Sequence, residues 1–188
     1  TSNIGFNRLY RNNGQARFHD VATQAGVLEP STRSFACWFF DQDEDGHLDL
    51  WVSGYQGTIA DLATDALGRT DTGERSCLYH NNNDGTFTDI ARQSGLDHPY
   101  LAMGANFGDI DGDGWLDIYL GTGDPLLESL MPNVLLHSER GRGFSDVTTR
   151  YGAGHLQKGH GVAFADFDHD GDQDLFHQLG GFIPVDRF

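Results

Sequence analysis

Between residues 34 and 92 the apolar positions come in short aromatic and β-branched runs, each closed by Gly, Asn or Asp. The runs are SFACWFF (34–40), HLDLWVSGY (47–55), SCLYHNN (76–82) and TFTDIAR (86–92). Runs of this length, composition and punctuation predict four short strands joined by turns. The stretch NNNDGT (81–86) predicts the hairpin between the third and fourth, with Asp84-Gly85 supplying the positive-φ element.

The pattern repeats. LYRNNGQARFHDVATQAGV (9–27), LYHNNNDGTFTDIARQSGL (78–96) and LLHSERGRGFSDVTTRYGA (135–153) share an apolar pair, a polar turn, Phe-x-Asp-Val/Ile and a closing Gly. A second motif keeps the same beat: DQDEDGHLDLWVSGY from 41, DIDGDGWLDIYLGTG from 109 and DFDHDGDQDLFHQLG from 166. Two independent motifs with matching spacing make one supersecondary unit, repeated, the simplest explanation. A four-stranded antiparallel meander recurring near every 60 residues reads as the blade of an all-β propeller. Residues 8–27 read as the end of one blade, 34–96 and 101–153 as two full blades, and 160–188 as the start of another. The chain 1–188 is thus read as a single propeller segment, two full and two half blades. Propellers close with 4–8 blades, so closure needs either more chain or neighbouring copies that complete the partial blades.

Two insertions carry a different period. TIADLATDALG (58–68) places apolar residues at 59, 62, 63, 66 and 67, a helical stripe, with Thr58 as N-cap and Gly68 just past the end. DPLLESLMP (124–132) offers Asp-Pro as a helix start and Pro132 as the stop. Both fall between the second and third strands of a unit, which puts them on the face opposite the acidic turns. Irregular additions on one face are the expected place for partner contact, here 59–67 and 125–131.

The acidic turns obey D-x-D-x-D-G-x-x-D. The first offers the carboxylates of Asp41, Asp43, Asp45 and Asp49 with the carbonyl of His47. The second offers Asp109, Asp111, Asp113 and Asp117 with the carbonyl of Trp115. The third offers Asp166, Asp168, Asp170 and Asp174 with the carbonyl of Asp172. Alternate side chains at positions 1, 3 and 5 curl toward one point, and the glycine at position 6 (Gly46, Gly114, Gly171) permits the sharp turn. Flexible all-oxygen coordination of this kind suits Ca²⁺. Mg²⁺ keeps more of its water, and Zn²⁺ prefers His or Cys. An EF-hand is excluded by context, because position 12 is Val52, Leu120 or His177 and the flanks are strand-like. About three Ca²⁺ ions are expected, each fastening a hairpin so that binding energy becomes folding energy.

This changes how the bulk charge is read. The net charge is −16, with 28 acidic residues against 12 basic ones. Three cations of charge +2 would bring −16 to −10, so much of the excess is ligand. The balance disfavours nucleic acid and anionic membrane as partners, and no apolar run approaches the roughly 20 residues of a membrane span. Hydrophobic content of 38% and 13 Phe mark a packing sequence. Cys37 and Cys77 either pair or are two small buried apolar side chains in strands.

Together the two motifs resemble the FG-GAP (VCBS) repeats of integrin α-subunit propellers and their bacterial relatives. Within them the likeness is to the branch that includes cartilage acidic protein and ASPIC/UnbV-type secreted proteins. It rests on LYxNN…TFTDI…SGL and then DxDxDGxxDL, in order, over nearly the whole chain. The resemblance implies a seven-bladed propeller, calcium on the twelve aspartates just named, and roles in adhesion or protein binding outside the cytoplasm. The turns NNGQARF and SERGRGF lack the family's DGT, so those two hairpins are expected to be shaped differently.

The remaining chemistry is sparse. His155, His160, His169 and His177 crowd the C-terminal third but match no zinc spacing. The Phe-x-Asp aspartates Asp20, Asp89 and Asp146 read as turn-binding residues, and Trp38, Phe39, Phe40 and Phe164 as core between blades. No nucleophile elbow, P-loop or nucleophile–base pair is present, and no N-x-S/T sequon occurs. The expected protein is a non-enzymatic, calcium-binding propeller module, secreted or at the cell surface, with a protein or glycan partner. The other readings are the scaffold of a propeller-associated enzyme, or a subunit that self-associates into a filament through its incomplete blades.

Overall fold

A computed structural model of the chain describes residues 5–123, 131–156 and 158–180. The described residues form four antiparallel sheets in chain order. The first pairs β1 (Tyr10–Asn12) with β2 (Phe18–Asp20). The second runs β3 (Ser34–Phe40), β4 (Asp49–Gly54), β5 (Cys77–Asn81), β6 (Phe87–Asp89) as a meander. The third repeats it with β7 (Ala102–Gly108), β8 (Asp117–Thr122), β9 (Val134–Ser138) and β10 (Phe144–Asp146). The fourth pairs β11 (Gly159–Ala165) with β12 (Asp174–Leu179). All-β and four-stranded antiparallel units are therefore observed. The helix expected over 124–132 falls, for 124–130, outside the described residues.

The three opening strands β3, β7 and β11 pack successively against one another. Each carries a register irregularity near its start, between Ser34 and Cys37, Ala102 and Gly104, and Gly159 and Val162. Bulges of this kind bend a strand and increase its twist. Close approach is enforced at Gly104, where an added Cβ would lie 1.2 Å from the His160 carbonyl oxygen. Beside it the Asn106 side chain donates to the Val162 carbonyl at 3.0 Å, and Phe107 stacks on Phe40 with centroids 5.4 Å apart.

Successive residues of β4 and β8 are buried on both faces, and they serve different cores. Trp51, Leu78, Ile118, Leu120, Val134 and Leu136 fill the space between the second and third sheets. Leu50, Val52, Cys77 and Tyr79 turn the other way, onto Ala22, Ala25 and Val27 of the first unit. Tyr119 and Leu135 likewise leave their neighbours to meet Val162, Phe164 and Leu175. Period-2 alternation thus divides each central strand between two interfaces.

Several expectations are corrected here. Phe40 is core and Trp38 and Phe164 pack partly buried, but Phe39 is 45% exposed, on the same side of β3 as the exposed Cys37. The cysteines are unpaired: both lie opposite Val52, on strands flanking β4, so Cys37 is not buried and no bridge spans them. Strands two apart are roughly 10 Å distant, beyond disulfide reach. The fourth strands stop at the Phe-x-Asp aspartate and do not continue to 92. Asp20, Asp89 and Asp146 accept from the N–H two residues on, in Ala22, Ala91 and Thr148, at 2.9–3.0 Å. That bond takes the backbone out of the ladder. The chain then enters a helical turn, α1 (Ala22–Ala25) in the first unit, ending on left-handed Gly26.

The insertion at 58–68 folds as predicted. Helix α2 (Ile59–Ala66) starts at Thr58, whose hydroxyl accepts from Asp61 N while Asp61 accepts from Thr58 N, a reciprocal capping box. It joins β4 to β5, at the sheet end opposite the β3–β4 acidic turn. After β10, α3 (Thr148–Tyr151) repeats the α1 turn and ends on Gly152. The first hairpin, expected to differ, matches the second: Gly14 and Ala16 take the positive-φ places of Asn83 and Gly85. The third does differ, with positive φ at Arg140, Gly141 and Gly143.

Candidate metal centres

Each acidic turn links the first and second strands of its sheet, and the strand registers are equivalent: Phe40 faces Asp49, Gly108 faces Asp117, and Ala165 faces Asp174. Position 1 organises the turn. Asp41 accepts from Asp45 N and Gly46 N at 3.1 and 2.9 Å. Asp109 accepts from Asp113 N and Gly114 N at 3.1 and 3.0 Å. Asp166 accepts from Asp170 N and Gly171 N at 3.1 Å each. Position 5 then holds the residue two further on: Asp45 accepts from His47 N, Asp113 from Trp115 N and Asp170 from Asp172 N. The backbones expected to lend carbonyls are therefore fixed parts of the turn.

Two left-handed residues per turn make this curl possible. Gly46, Gly114 and Gly171 sit at φ 88°, 95° and 101°. Position 4 is also left-handed, at Glu44, Gly112 and His169 with φ 55°, 70° and 63°. Only the glycine at position 6 was expected from the sequence.

Position 9 locks the turn to the sheet. Asp49 is fully buried and accepts from Gln42 N at 3.1 Å and from Asn81 N on the third strand at 2.8 Å. Asp117 is equally buried, accepting from Ile110 N at 2.9 Å and Ser138 N at 2.8 Å. Asp174 accepts from Phe167 N at 3.0 Å. Burial pushes the Asp49 and Asp117 pKa values upward, against the pull of these N–H donors. A buried carboxylate with raised pKa is a group that gains from a nearby cation.

The carboxylates converge. Asp41, Asp43 and Asp45 bring oxygens within 4.8 Å of one another, as do Asp109, Asp111 and Asp113. In the third turn the converging set is Asp166, Asp168 and Asp174, without Asp170. In the first turn Asp43 Oδ1 is buried with no hydrogen-bond partner among the described residues. An orphaned carboxylate oxygen on a residue that converges with two other aspartates is the donor chemistry of a divalent-cation site. All three clusters can hold a metal ion.

Two imidazoles join them that sequence reading passed over. His80 on β5 groups with Asp43 and Asp49, and His137 on β9 with Asp111 and Asp117. The signal was present in the repeat, where LYH and LLH place both histidines at one register and LYR places Arg11 there. His137 Nδ1 lies 2.8 Å from Asp117 Oδ1. Burial works against its charged form, but the bond to Asp117 and the charges of Asp111 and Asp113 outweigh it, so its pKa is raised. Of the C-terminal histidines, His155 and His177 pack with centroids 6.5 Å apart, and burial lowers the pKa of His177. They join no metal-competent group among the described residues.

A family model described as an FG-GAP-like repeat matches residues 60–120, from α2 through β5, β6, β7 and the second acidic turn into β8. A search of curated proteins finds no match. The matched stretch includes the second of the three carboxylate turns, so the similarity to an FG-GAP-like repeat extends over that turn.

Proposed function

We propose that this chain is a calcium-binding segment of a β-propeller acting outside the cell in adhesion, protein interaction or assembly. The observation that carries the reading is the likeness of the three acidic turns, which share the hydrogen bonds made by positions 1 and 5 and each bring three carboxylates together. Side-by-side packing of the opening strands supports the propeller reading, since neighbouring blades pack in that way around an axis. Ca²⁺ would be held by Asp41, Asp43, Asp45 and Asp49 with the His47 carbonyl, and by their counterparts 109–117 and 166–174. Bound there, it supplies charge compensation to carboxylates that otherwise repel. The chain's own residues do the rest: position 1 curls the turn, position 5 fixes the backbone beyond it, and position 9 ties it to the sheet.

The FG-GAP-like match at 60–120 supports a module similar to integrin-type propellers, and that similarity favours an extracellular setting. Within it we favour the ASPIC/UnbV-related branch. A protein or glycan partner at the α2 face, no enzymatic activity and no nucleic-acid or membrane-inserted state complete the reading. Among the described residues no helix is long and apolar enough to cross a membrane.

The test is the melting temperature of the chain in chelator and in millimolar Ca²⁺. Binding to the native state alone at 100 times Kd stabilises by about 2.7 kcal/mol per site. At roughly 2–4 °C per kcal/mol for a chain this size, even one occupied site raises Tm by at least about 5 °C. Coincident curves would refute the calcium reading.

A further inference from the structure

The first acidic turn carries a feature the others lack. His80 Nδ1 is buried without a hydrogen-bond partner among the described residues, 3.3 Å from Asp49 Oδ1 and 3.5 Å from Asp43 Oδ2. Its counterpart His137 is committed to Asp117 by a 2.8 Å hydrogen bond. Position 2 differs as well. Gln42 is 2% exposed, and its Oε1 has no partner among the described residues. The equivalent residue is Ile110. Gln42, Asp43 and His80 line one cleft of about 310 Å³, together with residues that include Gly141 and Arg142 of the next sheet's hairpin.

We propose that Asp43, Asp49 and His80, in the cleft that the buried Gln42 also lines, form a second metal site selective for a borderline divalent transition metal such as Zn²⁺. The spacing fits. Metal–donor bonds of about 2.0–2.1 Å put tetrahedral donors roughly 3.3–3.4 Å apart, matching the 3.3 and 3.5 Å imidazole–carboxylate separations. A hydrogen-bonded imidazole–carboxylate pair is closer, as His137 shows at 2.8 Å. The donor set is right too, because an imidazole nitrogen among two carboxylates favours Zn²⁺ over Ca²⁺. This site shares Asp43 and Asp49 with the calcium turn but is defined by His80, which the calcium reading does not use. The 138–144 hairpin packs close by, since a Cβ added at Gly141 would meet Asp43 Cα at 2.8 Å.

The experiment strips the purified chain with chelator, saturates it with Ca²⁺, and titrates Zn²⁺ by calorimetry, with Co²⁺ absorption as a spectroscopic check. Wild type is expected to bind one Zn²⁺ that His80→Ala and His80→Gln bind at least about tenfold more weakly, since even outer-shell partners are worth 10–100-fold in affinity. The visible Co²⁺ bands of a nitrogen-containing site are lost in both variants and retained in His137→Ala. Far-UV dichroism confirms that each variant is folded. Equal Zn²⁺ affinity in wild type and both His80 variants overturns the proposal, as does an equal loss in His137→Ala. A calcium-dependent rise in Tm without His80-dependent zinc binding sinks this site alone. Zinc binding without the calcium effect sinks the calcium reading alone.

Discussion

Replacing Asp117 by Asn tests whether position 9 holds the turn to the sheet by hydrogen bonding, apart from any metal. The carboxylate is fully buried, at 0% exposure. It receives three donors: Ile110 N on one oxygen, Ser138 N and His137 Nδ1 on the other. Asparagine has one acceptor oxygen and one donor group. If the oxygen keeps Ser138 and His137, the amide must face the Ile110 N–H, donor against donor. A lost bond to a charged acceptor is worth about 1.5–3 kcal/mol, and an orphaned buried N–H costs about 1–3 kcal/mol. Two discounts apply, because Ile110 is only half-buried and because a neutral side chain escapes the burial that raises the Asp117 pKa. A net loss of roughly 2–3 kcal/mol remains, which at about 2–4 °C per kcal/mol lowers Tm by some 4–12 °C.

The assay is thermal and urea unfolding at pH 7 in chelator, so that metal plays no part. Asp111→Asn is the control: Asp111 is exposed, and its ion-pair contact among the described residues is a distant 3.8 Å to His137. It should lie within about 0.5 kcal/mol of wild type without metal and lose stability relative to wild type only when Ca²⁺ is added. Asp117→Asn within 0.5 kcal/mol of wild type in chelator would refute the reasoning. So would an Asp111→Asn variant as damaged as it.

Two further outcomes concern the helix cap and the strand contact. Asp61 accepts from Thr58 N, Thr58 Oγ1, Thr72 N and Thr72 Oγ1, bonds that hold its carboxyl far below the usual carboxylate range, the Thr58 hydroxyl first among them. Asp61→Asn should cost about 1–2 kcal/mol at pH 7. A folded-state pKa below the unfolded value near 3.9 stabilises above that value and is lost as pH falls through the folded one. The wild-type advantage should therefore shrink below about pH 4, and a difference that widens there would be contrary. Gly104→Ala forces a Cβ to 1.2 Å from the His160 carbonyl, a backbone neighbour that cannot rotate away. A loss of about 3 kcal/mol, the upper end for overpacking, is expected by urea unfolding, and a variant within about 1 kcal/mol of wild type would show that the two strands part easily.

Much of this was written in local chemistry. SFACWFF became β3 residue for residue, and Thr58 and Gly68 bracketed α2, because strand punctuation and helix caps act within a few residues. The aspartates converged because their spacing and the position-6 glycine are properties of the turn alone. His80 and His137 were hidden because their approach depends on which strand lies third and in what register, and no local pattern encodes that. Phe39 and Cys37 misled for another reason: every residue of SFACWFF after Ser34 is apolar or nearly so, and the strand's half-exposed face is unmarked by polar side chains. Ala16 in a left-handed turn position hid the likeness of the first hairpin to the second, since the residue there is not the glycine that the geometry favours.

The division of β4 and β8 between two cores has a mechanical corollary. A sheet whose odd side chains belong to one neighbour and whose even ones belong to the other owns no interior of its own. Removing a neighbour strips half of its burial, while gaining one adds an entire contact layer. Stability should then accrue joint by joint along the row, as in a stacked array. A crowbar substitution such as Trp51→Ala would loosen the joint between the second and third sheets, yet leave the opposite faces of those same strands engaged.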